Sequence, residues 1–182
     1  MLFRSLADAK DGNYKMDALI SDAKSVLLGV KTADCVPILV GDTKTKAFAA
    51  IHAGWRGTVQ SIARKAIKKM HENYGTSTKD LICAIGPAAT CKNYEIGKDV
   101  IEAFRENFSN SEHLFTPTKE NHALIDLHTA NKEQLLSLGI LPENIFIAPL
   151  CTMERNDLFF SYRKEKKLYG KTGRLMSVIG KI

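Results

Sequence analysis

Cysteine pairs, histidine pairs and long apolar runs are missing from this sequence. The cysteines are widely spaced without a CxxC pair, so they indicate neither a disulfide scaffold nor a zinc ribbon. The five histidines include no His-x-His pair, whereas multicopper sites need many imidazoles. No apolar run approaches the roughly 18 residues that span a bilayer, and no signal-peptide apolar region is present at the start. We therefore expect reduced thiols, no membrane contact and a cytoplasmic location.

Composition predicts one compact domain. The chain has 182 residues, 45% of them hydrophobic, which is enough to bury a sizeable core. Its formal net charge is +6, but the lysines are scattered and no aromatic platform or nucleic-acid motif accompanies them. We expect a surface that serves small anionic substrates, and no nucleic-acid partner.

Strand-like and helix-like segments alternate along the chain, which predicts an α/β layered fold. The best helix is predicted at 58–74, where apolar residues recur at helical spacing and lysines and an arginine take the other face. Two further helices are predicted at 98–107 and 129–138, and a surface excursion at 107–121. The predicted strands are 26–30, 36–41, 47–51, 81–85, 124–127, 145–148 and 175–179.

A predicted β-hairpin places a cysteine beside a histidine. Cys35 lies just before the strand at 36–41, and His52 lies just after the strand at 47–51. A two-residue loop at 43–44 would set Cys35 directly opposite His52, with Cβ atoms roughly 5 Å apart. A register slip of one residue would put them on opposite faces. The shared site therefore depends on the register.

A neighbouring cysteine and histidine suit two kinds of chemistry. Thiolate and imidazole are zinc ligands, although catalytic zinc usually has three protein ligands and an open water position. The same pair suits the nucleophile and base of a cysteine hydrolase. His122 and His128 flank the predicted strand at 124–127, so either could approach the pair. The structural alternative is a small core cysteine and a packed histidine.

Several cations are candidates for binding an anionic substrate. Arg56 lies between two glycines just ahead of the long helix, where phosphate suits backbone amides and the positive helix end. A plain strand-to-helix turn is the alternative. Near the C-terminus, Tyr162 and Arg163 join an aromatic ring to a cation that could stack a purine and neutralise phosphate, and Arg174 follows. Glu95 could cap a helix or contact a ribose hydroxyl.

Short motifs are spread over nearly the whole chain, and each is weak alone. In chain order they are Asp-Ala-Leu-Ile (17–20), Thr-Ala-Asp-Cys-Val-Pro (32–37), His-Ala-Gly-Trp-Arg-Gly (52–57), Ile-Gly-Pro-Ala (85–88), Tyr-Glu-Ile-Gly (94–97), Asp-Leu (126–127), Cys-Thr (151–152), Phe-Ser-Tyr-Arg (160–163) and Thr-Gly-Arg (172–174). With these motifs the chain resembles the YfiH family, also called the laccase-domain or polyphenol oxidase family. The resemblance implies a single YfiH-like domain with a mixed β-sheet over residues 1–182.

The resemblance implies a zinc-dependent enzyme of purine nucleosides. Its expected activities are phosphorolysis of adenosine, inosine, guanosine and methylthioadenosine, and deamination of adenosine, whereas the older laccase label implies copper. The family's zinc ligands include Cys35, His52 and an earlier histidine in a Gln-Val-His-Gly motif. The first histidine of this sequence is His52. We therefore expect an N-terminally short chain with weaker zinc binding, and a catalytically impaired remnant is an alternative.

Overall fold

The computed structural model describes residues 16–182, where strands and helices alternate as the sequence predicts. The strands are β1 (Ala18–Ser21), β2 (Val26–Thr32), β3 (Val36–Asp42), β4 (Phe48–Ala53), β5 (Leu81–Ile85), β6 (Glu95–Gly97), β7 (Phe115–Lys119), β8 (His122–Ile125), β9 (Ile145–Ile147) and β10 (Leu175–Lys181). The helices are α1 (Trp55–Val59), α2 (Ile62–Tyr74), α3 (Lys98–Asn107), α4 (Leu127–Ser137) and α5 (Tyr162–Tyr169). Within this range, no helix is long and apolar enough to cross a bilayer.

The central sheet has the strand order β1-β4-β3-β5-β9. Its strands pair antiparallel except for β5 and β9, which are parallel, so the sheet is mixed. A ribbon of β2 and β10 and a small sheet of β6, β8 and β7 complete the strand pairings. The predicted α/β fold with a mixed sheet is confirmed.

Alternating side chains of β3 and β4 reach two different hydrophobic clusters. Ile38 and Ile51 belong to the main core together with the buried face of α2. Leu39 and Ala50 pair across the two strands and pack in a second cluster with Leu28 of β2. The sheet therefore lies between the helices and the β2–β10 ribbon, and its period of two residues decides which layer each side chain enters.

The predicted helix at 58–74 is two helices, so that prediction is wrong in part. Ser61 separates α1 from α2 and adopts a left-handed conformation with φ of 55°. This conformation cannot continue a right-handed helix. Gly75 ends α2 with φ of 69°, and the predicted end of the helix at residue 74 is therefore correct.

Three strands, β1, β6 and β7, and one helix, α5, are missing from the sequence prediction. The excursion at 107–121 contains β7, which pairs antiparallel with β8 across a turn at residues 120–121, although the segment before it is polar. β1 is short and pairs with β4, which is distant in the sequence. α5 has no buried residues, so no apolar stripe marks it, although Ser161 caps its N-terminus by accepting a hydrogen bond from Lys164.

Candidate active site

The β3–β4 hairpin brings Cys35 and His52 together in a register that differs from the predicted one. Pro37 lies opposite His52, because the connecting loop has four residues and not two. The Asp42 carboxylate accepts hydrogen bonds from the backbone N–H groups of Lys44 and Thr45 and so stabilises the longer loop. The predicted loop was therefore wrong. A shift of two residues preserves the side-chain face, so Cys35 and His52 remain neighbours.

His52 lies between a thiol and a carboxylate. Its Nδ1 donates to Oδ1 of Asp17 at 2.8 Å, and its backbone N–H donates to the carbonyl of Asp17 at 2.7 Å. A hydrogen bond with Cys35 raises the pKa of His52 to about 9, burial opposes the increase, and Asp17 adds to it. The thiol and the carboxylate therefore both favour the protonated imidazole over the neutral one.

Gly54 leaves space beside this pair. A Cβ atom built on Gly54 would lie 3.0 Å from Sγ of Cys35 and 3.8 Å from Nε2 of His52. Both reactive atoms therefore border the same small space, which any side chain at position 54 would fill. The sequence shows this glycine but not what it faces.

Cys35 and His52 fit part of a zinc site. Sulfur and imidazole nitrogen are ligands that zinc accepts, and a carboxylate on the second ring nitrogen is typical of metal-bound histidine. No group of three His, Cys, Asp or Glu side chains suited to a metal occurs within residues 16–182. His122 and His128 face the backbone carbonyls of Glu120 and Gly86. The described residues thus supply two donors and an orienting carboxylate.

Arg163 lies on the cysteine side of the site. Its guanidinium is 4.7 Å from the centroid of the Tyr94 ring and donates to the carbonyl of Glu95 at 2.8 Å. Burial raises the pKa of Tyr94, nearby Arg163 opposes the increase, and the charge of Cys35 adds to it. Tyr94 is therefore a protonated phenol that contacts the Arg163 cation and is close enough to Cys35 to respond to its charge.

Tyr162 and Arg174 form a second, exposed group. The Arg174 guanidinium lies 5.7 Å from the centroid of the Tyr162 ring, and Lys166 lies 4.8 Å from it. Nζ of Lys166 also donates to the Tyr162 hydroxyl at 2.6 Å. The predicted aromatic and cationic pair is thus joined by a lysine that the sequence analysis did not select.

Arg56 and the Glu95 carboxylate have partners of their own. The Arg56 guanidinium stacks 4.2 Å from the centroid of the Trp55 ring, on a helix of only five residues. The Glu95 carboxylate accepts from Thr118 at 2.9 Å and from Lys119 at 3.1 Å. The structure therefore directs the Glu95 carboxylate to β7 and its backbone carbonyl to Arg163.

Sequence reasoning missed three site residues, Asp17, Asp34 and Tyr94. Each stands in a motif that the sequence analysis quotes, yet none carried a predicted role. Asp17 would have been found by pairing β1 with β4, because Ala18 lies opposite Ile51 and Asp17 thus reaches His52. The pairing of distant strands leaves no local signal.

The fold and the site define a class of α/β proteins that carry a cysteine–histidine pair backed by a carboxylate. The chain belongs to the family described as multi-copper polyphenol oxidoreductase laccase, whose model matches residues 4–181. This finding confirms the resemblance in the sequence.

Similar proteins have names that point to purine nucleosides. A purine nucleoside phosphorylase of Bacteroides thetaiotaomicron is 41% identical over 169 residues, which cover 91% of this chain and 61% of the relative. The purine nucleoside phosphorylase YlmD of Bacillus subtilis is 33% identical over 90% of this chain and 58% of the relative. This chain therefore spans about three fifths of the length of these curated relatives.

Two solved structures share the fold. YlmD from Geobacillus stearothermophilus aligns with a TM-score of 0.88 and 29% identity, covering 100% of this chain and 69% of that one. The Bacillus licheniformis hypothetical protein YfiH aligns with a TM-score of 0.85 and 33% identity, covering 91% and 61%.

Proposed function

We propose that this chain provides the active site of a purine nucleoside phosphorylase that binds zinc through Cys35 and His52. The observation that carries the proposal is the Cys35–His52 pair with Arg163 nearby, in a chain 41% identical to a protein named for that activity. We propose adenosine, inosine, guanosine and methylthioadenosine as its substrates, with phosphate as co-substrate.

In phosphorolysis, a phosphate oxygen attacks C1′ of the ribose, the bond from C1′ to the purine nitrogen breaks, and the purine takes up a proton. Arg163 and Arg174 are suited to hold the phosphate, because guanidinium groups match its oxygens and keep their charge. The contribution of these residues is positioning and electrostatic stabilisation of charge that develops in the transition state.

Cys35 and His52 would hold zinc, with Asp17 fixing the orientation of the imidazole ring. When bound, the metal would supply Lewis-acid chemistry. We include adenosine deamination in the proposal, in which water attacks C6 of the purine and ammonia leaves. The expected cytoplasmic location and the absence of a nucleic-acid partner stay predictions.

A cysteine hydrolase is the second candidate function, and one observation favours it. Sγ of Cys35 and Nε2 of His52 border the same small space, and Cys35 raises the pKa of His52, which suits a nucleophile beside its base. Zinc on the thiolate would occupy the nucleophile. Measurements of zinc content and of thiol alkylation at Cys35 therefore distinguish the zinc-binding phosphorylase from the cysteine hydrolase.

The test is incubation with adenosine, inosine, guanosine and methylthioadenosine, with and without phosphate. Free base should appear only with phosphate, and inosine formed from adenosine would report deamination. Cys35→Ala and His52→Ala should abolish both activities, whereas Cys91→Ala is the control cysteine variant. The proposal would be contradicted if none of the four nucleosides reacted. It would also be contradicted if Cys35→Ala and the parent protein reacted at equal rates.

A further inference from the structure

Asp34 is a buried carboxylate next to the cysteine of the site. It is only 5% exposed, and its side chain accepts two short hydrogen bonds. The Thr152 hydroxyl donates to Oδ1 at 2.7 Å, and the backbone N–H of Arg163 donates to Oδ2 at 2.7 Å. Hydrogen bonds to an ionised acceptor are short and strong, so these two contacts fix the carboxylate firmly.

Asp34 joins three segments that are distant in sequence. Its backbone carbonyl accepts from the N–H of Ala89 at 2.9 Å, while its side chain reaches Thr152 and the first turn of α5. Its φ of 82° is in the left-handed region, which aspartate tolerates better than most side chains. The backbone therefore turns sharply at Asp34 immediately before Cys35.

The hydrogen bond from the backbone N–H of Arg163 to Asp34 fixes the backbone from which the Arg163 side chain extends. Because the backbone N–H of Arg163 is fixed, its guanidinium extends to the Tyr94 ring and the Glu95 carbonyl on the cysteine side of the site. The negative carboxylate also lies at the positive N-terminal end of α5, where it is favoured. One residue thus holds both Cys35 and the helix that carries the cation.

We propose that Asp34 is a positioning residue that holds α5 in place so that Arg163 can bind a phosphate group at the Cys35–His52 site. The inference rests on the proposed function, which it extends by assigning phosphate to Arg163 through Asp34. Asp34 acts through the backbone of Arg163 and does not itself contact the phosphate.

The test compares phosphate binding in Asp34→Asn with a matched control. Asp42→Asn is that control, because Asp42 is 4% exposed, lies at the other end of β3 and also accepts two hydrogen bonds, in its case both from backbone N–H groups. Titration calorimetry with inorganic phosphate should show a Kd about tenfold higher in Asp34→Asn and unchanged in Asp42→Asn. In assays with inosine, the KM for phosphate should rise while the KM for inosine stays constant.

Arg163→Ala shows whether Asp34 acts through the arginine side chain. This variant keeps the backbone N–H, so Asp34→Asn added to it should weaken phosphate binding no further. If Asp34→Asn does not fold, Thr152→Val removes one donor to the same carboxylate and should raise the phosphate Kd by a smaller factor.

The outcomes separate this inference from the proposed function. Phosphate binding that is absent from the parent protein, or unchanged in Asp34→Asn and Thr152→Val, would overturn the inference. A further loss from Asp34→Asn in the Arg163→Ala background would overturn it as well. If phosphate binding depends on Asp34 and Arg163 but no nucleoside is cleaved, the inference stands and the proposed function fails.

Discussion

Asp17 and His52 are 35 residues apart in the chain, yet Oδ1 of Asp17 lies 2.8 Å from Nδ1 of His52. The contact follows from the pairing of β1 with β4, which sets the backbone of Asp17 against that of His52. It directs the second ring nitrogen toward the space beside Gly54 and Cys35. Under the zinc proposal, this contact would orient the imidazole ring before the metal binds.

The first prediction concerns this carboxylate. Asp17→Ala should weaken zinc binding by about 10- to 100-fold, because the imidazole loses the partner that orients it. Competition with a chromophoric chelator measures the affinity. Asp22→Ala is the control, since Asp22 is an exposed aspartate on the neighbouring turn. Equal zinc affinity in the two variants would show that Asp17 has no part in metal binding.

The second prediction concerns the space beside the pair. Gly54→Ala places a methyl group 3.0 Å from Sγ of Cys35, so we expect kcat/KM to fall about tenfold or more. The backbone at Gly54 has φ of −68° and ψ of 172°, which alanine adopts freely, so the melting temperature should change little. Steady-state kinetics and thermal melts measure the two effects.

Gly41→Ala is the matched control for Gly54→Ala. A Cβ atom at Gly41 would meet its nearest neighbour, Cδ1 of Ile179, at 3.9 Å, an ordinary contact. Its kinetics should match those of the parent protein. An active Gly54→Ala protein would mean that the space beside Cys35 and His52 is not used.

The third prediction concerns the hairpin that sets the register. Burial pushes the pKa of Asp42 upward, but hydrogen bonds from Thr45 and Lys44 outweigh it, and the pKa lies below its ordinary value of 3.8. The stabilisation is therefore fully present above this ordinary value, which applies to the unfolded chain, and is lost as the pH falls through the lower folded pKa. Asp42→Asn should cost about 1 to 3 kcal/mol at neutral pH.

Urea unfolding over a pH series measures this effect. The difference in free energy of unfolding between the parent protein and Asp42→Asn should be constant above about pH 5 and shrink below about pH 4. A difference that stays constant down to the lowest pH would mean that the Asp42 carboxylate does not hold the loop.

The fourth prediction concerns Glu95. Its carboxylate is exposed and bound to Thr118 and Lys119, so Glu95→Gln should change the KM for nucleosides by less than about twofold. Arg163→Ala is the contrasting variant. Arg163 binds the backbone carbonyl of Glu95, and Glu95→Gln leaves that contact in place. A large rise in nucleoside KM for Glu95→Gln would support the ribose contact that the sequence suggested.

The β3–β4 hairpin shows which features the local sequence predicts and which it does not. Apolar runs at β3 and β4 predicted the strands, and a two-residue loop between them would have set Cys35 opposite His52. The loop length was wrong, because Asp42 stabilises a longer turn through its own side chain. The shared face survived because the error shifted the register by two residues, whereas a shift of one would have separated the pair.

The sequence by itself determined the strands and helices that carry an apolar pattern, and the family motifs. Only the tertiary structure decided the register that keeps Cys35 and His52 on one face, and which distant groups meet. Asp34 is 118 residues from Thr152 and 129 from Arg163, and its two hydrogen bonds exist because the turn before β3, the segment after β9 and the start of α5 converge. The local residue pattern indicates how one segment folds. Contacts such as those of Asp34 depend on packing between segments, and the spacing of neighbouring residues does not indicate that packing.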